Sequence, residues 1–265
     1  MTRLALGLSY RGQAYEGWQS QPSGRTVQDA FERALAKFVG APVRTHCAGR
    51  TDAGVHALNQ VVHIDAPVAR EAFSWVRGTN RYLPADIAVQ WCREVVPDFH
   101  ARASALGRRY RFVLLESPVR PALETGLCGW VFRPLQGDAM RAAASHLIGE
   151  HDFSAFRAAE CQARSPVKML RNIEIGFRGE SLAGYWHFEF DASAFLHHMV
   201  RNIIGCLVAV GMGRRPAAWV AEVLASRRRE MAAPTFPPEG LYFLGPYYDA
   251  RHALPTSSPA QNGWL

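Results

Sequence analysis

Apolar residues recur at two spacings along this chain, and the switches between them outline a fold. Residues 3–10 set Leu4, Leu6, Leu8 and Tyr10 against smaller or polar neighbours, the period-two pattern of a strand with one buried face. From 26 to 39 the period becomes 3.6: Val27, Ala30, Phe31, Ala34, Leu35 and Phe38 fall on one stripe and predict a helix. Thr26 and Asp29 resemble a capping box, and Gly40 supplies the stop. Short alternating stretches at 43–47 and 61–64 predict strands, followed by a helix near 70–80 and a strand at 86–95.

The same order then returns. A strand is expected at 108–115, a helix at 138–148, strands at 171–178 and 184–191, a helix at 195–210 and a last strand at 241–248. An added helix near 216–227, opened by Pro216, interrupts this second copy. Two runs of β-α-β-β-α-β predict an α+β protein of two ferredoxin-like units, with antiparallel sheets meeting at a central basic cleft. The expected boundaries are 1–103 for the first unit, 104–250 for the second and 251–265 for a loose tail. Residues 97–106 read as the joint.

Composition narrows the class. The chain has 265 residues, 48% of them apolar, enough to bury a proper core in one large or two ordinary domains. No run approaches the roughly 20 apolar residues of a membrane span, and the start leads straight into a strand, so a cytoplasmic location is expected. The five cysteines are scattered with no pair at metal-ligand spacing, which signals neither a disulfide framework nor zinc. The net charge of +7, carried almost entirely by arginine, favours a polyanionic partner.

Several chemistries are excluded by missing motifs. There is no phosphate-binding G-x-x-x-x-G-K-[ST] loop, no G-x-G-x-x-G opening a helix after a strand, no H-E-x-x-H and no G-x-S-x-G. Neither a zinc-deaminase signature nor a carboxylate cluster suited to magnesium is present. What stands out is Gly49-Arg50-Thr51-Asp52-Ala53-Gly54-Val55-His56-Ala57, one carboxylate in a glycine-bracketed loop between two strands. Asp and Gly are turn formers, so a plain turn accounts for part of it. A turn does not need an Arg two residues before the Asp and a His four after, and a nucleophilic role for Asp52 is the alternative.

Two further segments carry candidate chemistry. In Arg108-Arg109-Tyr110-Arg111-Phe112 a strand would set Tyr110 and Phe112 on one face and Arg109 and Arg111 on the other. Such an aromatic flanked by arginines suits stacking on a splayed base, or else is a core Tyr beside solvated cations. Around Phe195 to Gly205, His197 and Arg201 lie four apart and would share a helix face. In a helix this apolar, Arg201 would be partly desolvated and would need an anion, for which Asp52 is the candidate.

Together with Gly17 to Gln21, Phe99-His100-Ala101-Arg102, Asp152 to Phe156 and Glu239-Gly240-Leu241-Tyr242, these segments resemble a tRNA pseudouridine synthase of the TruA type. The likeness runs in order from about residue 3 to 249. It implies isomerisation of uridine to pseudouridine at positions 38, 39 and 40 of the tRNA anticodon stem-loop. It also implies a homodimer with tRNA spanning both subunits, and no cofactor or metal.

Position by position, the resemblance makes Asp52 the nucleophile and Arg201 its partner. Tyr110 would pack on the target base, Arg50 would help displace that base, Leu241 would line the pocket and His197 would lie on the substrate side. Its expected basic residue after Pro166 matches either Lys168 or Arg171. The rivals are a non-catalytic RNA-binding protein, which leaves Asp52 without a purpose, and a hydrolase, which would need a second acid or a metal cluster.

Overall fold

The computed structural model describes residues 2–180 and 183–255 of the chain. Its elements are mixed α+β, and they divide into two compact units, residues 2–108 with 242–255, and residues 109–241.

The first unit contains β1 (Thr2–Tyr10), α1 (Val27–Val39), β2 (His46–Cys47), β3 (His56–Ala66), α2 (Ala72–Asn80) and β4 (Ile87–Val95). β1 is antiparallel to both β3 and β4 and lies between them. Leu6, fully buried, faces Val62 on one side and Cys92 on the other. α1 forms as its sequence dictates: the Thr26 hydroxyl accepts from the Asp29 N–H at 3.2 Å, and Gly40 closes the helix at φ +81°. Val27, Ala30, Phe31, Ala34 and Leu35 of the expected stripe are buried, and Phe38 is half-buried edge-on to Trp75.

Two expectations are corrected here. The strand at 43–47 shrinks to His46–Cys47, because Glu32 of α1 accepts the Thr45 N–H at 3.0 Å and its hydroxyl at 2.7 Å. That leaves the Thr45 N–H engaged by α1 instead of by a strand. The segment 97–106 is no joint: Phe99 and Ala101 are fully buried, and the Tyr248 hydroxyl donates to the Ala101 carbonyl at 2.7 Å.

The second unit takes β5 (Ala105–Glu116) from residue 109, then β6 (Gly129–Val131), α3 (Gly137–Ser145), β7 (Gly149–Asp152), β8 (Val167–Glu180), β9 (Ala183–Ala192), α4 (Met199–Gly211) and α5 (Trp219–Ser226). Its strands run in the order β5-β9-β8-β7, with β6 parallel to β5. β6 and β7 were not expected, being too short and, in β7, too polar to show a period. The helices start later than their patterns: α5 at Trp219 after a turn led by Pro216, and α4 at Met199 after a turn through His198.

The last strand, β10 (Leu241–Tyr248), pairs in parallel with β3 through Tyr242↔His56 and Phe243↔Ala57. The compact units therefore do not follow the expected boundaries at 103 and 250, since Tyr242 onward packs with the first unit. Within the expected tail, Ala250–His252 forms a 3-10 turn capped by Asp249, and residues 256–265 lie outside the described residues.

Candidate active site

In the first unit the loop from Gly49 joins β2 to β3, and its backbone is held at nearly every step. The Trp18 N–H donates to the Thr51 carbonyl at 3.0 Å, and the Val55 N–H to the Asp52 carbonyl at 3.2 Å. Gly54 sits at φ +79°, so residues 52–55 are a true turn of the kind the sequence suggested. Tyr10 and Thr51 share a buried hydroxyl hydrogen bond at 2.8 Å, and the Gln60 amide donates to the Gly49 carbonyl. On this frame Asp52 is half-buried and Arg50 is exposed.

Gly12 and Gly17 both press against the loop, Gly12 at the Val55 carbonyl and Gly17, at φ +88°, beside Asp52. A Cβ on Gly17 would lie 2.7 Å from the Thr51 carbonyl oxygen and 3.1 Å from the Asp52 carbonyl carbon. The His at the end of the loop has a supporting role: His56 is buried, its Nδ1 accepts the Gly12 N–H at 3.1 Å, and its ring stacks on Tyr242 at 4.7 Å. Accepting at Nδ1 fixes the neutral tautomer with its proton on Nε2. Gly12, Tyr10 and Thr51 were missed as supports; the glycine in β1's exit and the Tyr ending its alternation were the only signals.

In the second unit Tyr110 is buried and meets Phe195 edge-on at 5.0 Å. Arg111, expected among the solvated or RNA-facing cations, instead donates from Nε to Glu189 Oε1 at 2.9 Å, because β9 lies beside β5. His197 and Arg201 do not share a helix face. His197 is exposed in the turn ahead of α4, its ring 4.0 Å from that of His198, while Arg201 lies in the first turn of the helix. His198 bears the bend at φ +62°, in the left-handed region that a side chain disfavours.

Arg201 is half-buried, and its Nε donates to the Phe236 carbonyl at 2.9 Å. Leu241 is buried at the start of β10. Of the open pair, Lys168 turns back onto the carbonyls of Ser165 and Val167, where burial lowers its pKa, and Arg171 reaches Asp191 at 3.2 Å. Asp52 and Arg50 thus belong to the first unit, and Tyr110, His197, Arg201 and Leu241 to the second. Among the described residues, no helix is long and apolar enough to cross a membrane.

Comparison with known proteins adds a consistent set of relatives. A family model described as tRNA pseudouridine synthase matches residues 8–102 and 143–249. A protein of Methylibium petroleiphilum named tRNA pseudouridine synthase A is 70% identical over 263 residues, covering 99% of both chains. Proteins of the same name from Polaromonas naphthalenivorans and Variovorax paradoxus are each 64% identical, the first over 99% of both chains, the second over 98% of this chain and 97% of its own.

Proposed function

We propose, because this chain belongs to the tRNA pseudouridine synthase family, that Asp52 is the nucleophile of its reaction. The enzyme isomerises uridine to pseudouridine in tRNA. The observation that carries the assignment of Asp52 is its loop, in which a half-buried carboxylate stands on a backbone pinned by Trp18, Val55 and the close approach of Gly17. A nucleophile must be held still relative to a bulky substrate, and here the backbone itself does the holding.

The chemistry follows from what must move. The target base leaves its stack, at a cost of a few kcal/mol, before its glycosidic bond is reachable. Asp52 then bonds either to C1′ of the ribose or to C6 of the base, and the N1–C1′ bond breaks. The uracil turns, C5 bonds to C1′, the hydrogen at C5 is lost as a proton and N1 gains one. Asp52 is released unchanged, and every heavy atom of the substrate remains.

Arg201 is assigned as the partner that keeps Asp52 ionised, since a nearby cation lowers a carboxylate pKa. Tyr110 packs on the target base and takes part in proton transfer, Arg50 helps displace the base, Leu241 lines the pocket, and His197 lies on the substrate side. Uridines 38, 39 and 40 of the anticodon stem-loop are the proposed targets, with tRNA spanning a homodimer in the cytoplasm. We read each unit as ferredoxin-like, and the strand order β4-β1-β3 with α1 and α2 supports this for the first.

The test is tritium release from tRNA carrying 5-³H-uridine, because forming the C–C glycosidic bond displaces the hydrogen at C5. Asp52→Ala should lower turnover by more than roughly 10³-fold. Its affinity for tRNA should stay within a few-fold of wild type. Turnover retained by this variant removes the assignment.

A further inference from the structure

Arg201 is oriented by a backbone carbonyl, and that carbonyl belongs to a strap of residues 233–236 running along α4. The Phe236 carbonyl accepts from Arg201 Nε at 2.9 Å, and the Phe236 N–H returns to the Arg201 carbonyl at 3.2 Å. Further along, the Ala233 N–H reaches Cys206 Sγ at 3.3 Å. The Pro234 carbonyl oxygen lies only 2.3 Å from where a Cβ on Gly205 would stand. Glycine at 205 is thus what lets the strap sit against the helix.

One side chain ties this strap to the helix. Arg229 donates from Nη1 to the Ala233 carbonyl at 2.9 Å, and from Nη2 to both Thr235 Oγ1 and Asn202 Oδ1 at 3.0 Å. The Thr235 hydroxyl closes the triangle by donating to Asn202 Oδ1 at 2.7 Å. Asn202, fully buried beside Arg201 in the sequence, spends its amide N–H on the Phe156 carbonyl at 2.7 Å. Every hydrogen-bond partner of Arg229 among the described residues is neutral. A half-buried cation without a carboxylate is poor stabilisation, since desolvation is offset only by neutral acceptors. Its planar fork is, however, well suited to fixing three acceptors at set distances.

We infer that Arg229, acting through Thr235 and Asn202, is a positioning residue that sets the direction of the Arg201 guanidinium. The Phe236 carbonyl at 2.9 Å fixes one edge of that guanidinium, and the strap that carries the carbonyl is what Arg229 holds. The inference rests on the catalytic role proposed for Arg201, and a double-mutant cycle separates the two.

Tritium release is measured for wild type, R229A, T235V, R201A and the R201A/R229A pair, with KM for tRNA and melting temperature alongside. R229A should lower kcat by about 10–100-fold, the scale of an ångström-sized misplacement, with KM within about threefold. T235V, which removes one hydroxyl from the triangle, should move kcat the same way by less. In the R201A background, R229A should add less than about threefold, because the group it aims is already gone. Losses that multiply in the double variant, or an unchanged kcat in folded R229A, overturn the inference. If R229A does not fold, an unchanged kcat in folded T235V overturns it equally. Wild-type turnover by R201A would instead remove the reading of Arg201 itself.

Discussion

The loop that carries Asp52 and the helix start that carries Arg201 are both stiff, and they are stiffened by opposite means. Around Asp52 the restraints are backbone hydrogen bonds, the nearness of Gly12 and Gly17, and a few neutral side chains such as Tyr10 and Gln60. Around Arg201 they are side chains: Arg229, Asn202 and Thr235 in one triangle, and His198 bent into the left-handed region. The first device fails when an atom is added, because there is no room for it. The second fails when a polar group is removed, because a fully buried Asn is left short of partners.

The sharpest break in this comparison is Gly17→Ala. The new Cβ would be pressed against the Thr51 carbonyl on a backbone at φ +88°, combining left-handed strain with overpacking. Above about 3 kcal/mol of destabilisation is expected, together with loss of turnover, read by urea unfolding and tritium release. A variant that melts like wild type would show that the loop yields more readily than its contacts imply.

Acid should distinguish the two units next. His63 on β3 is buried beside His46 and His100, and its Nδ1 accepts the Ala101 N–H at 3.2 Å. Burial, then the His100 and His46 rings and Arg3, push its pKa from 6.5 down to about 4, with Asp65 opposing. A folded-state pKa below the unfolded value means the unfolded chain binds the proton first. Stability from His63 is therefore whole above pH 6.5 and is lost as pH falls toward 4, by up to about 3 kcal/mol. Hydrogen exchange across that window should show β2 and β3 losing protection before α4, and His63→Gln should flatten the effect.

The smallest effect is expected at the helix start. Glycine at 198 would adopt φ +62° freely, so His198→Gly should relieve on the order of 1 kcal/mol of strain and raise the melting temperature slightly. A fall instead would mean that the ring contact with His197 at 4.0 Å outweighs the strain.

These two regions also differ in how far they could be read from sequence. The Asp52 turn was legible because its own devices are local, glycines, a turn-forming Asp and strands on either side, whereas the supports that reach it from Tyr10, Gly12 and Trp18 were not. α1 was legible for the same reason, its cap Thr26 and its stop Gly40 directly flanking its 13 residues. β2 was overestimated because the competitor for its backbone, Glu32, lies on another element. The start of α4 was misplaced because a His in the left-handed region leaves no mark on the pattern. Arg229 was invisible as well, since Arg227-Arg228-Arg229 reads as an ordinary basic run until the strap brings Asn202 and Thr235 to its fork.

The parallel pairing of β10 with β3 has a consequence for how the protein is made. The first unit is closed by a strand that leaves the ribosome only after all of residues 109–241 have been synthesised. At about 5–20 residues per second, that leaves the nascent chain for on the order of ten seconds with the edge of β3 that receives β10 open at His56 and Ala57, although Ala57 already pairs with Tyr10 of β1 on the other side. An open strand edge is a site of faulty pairing between chains. The stretch most exposed to that hazard is the one on which the Asp52 loop ends, so a chain cut short before Leu241 would lack the strand that covers this edge.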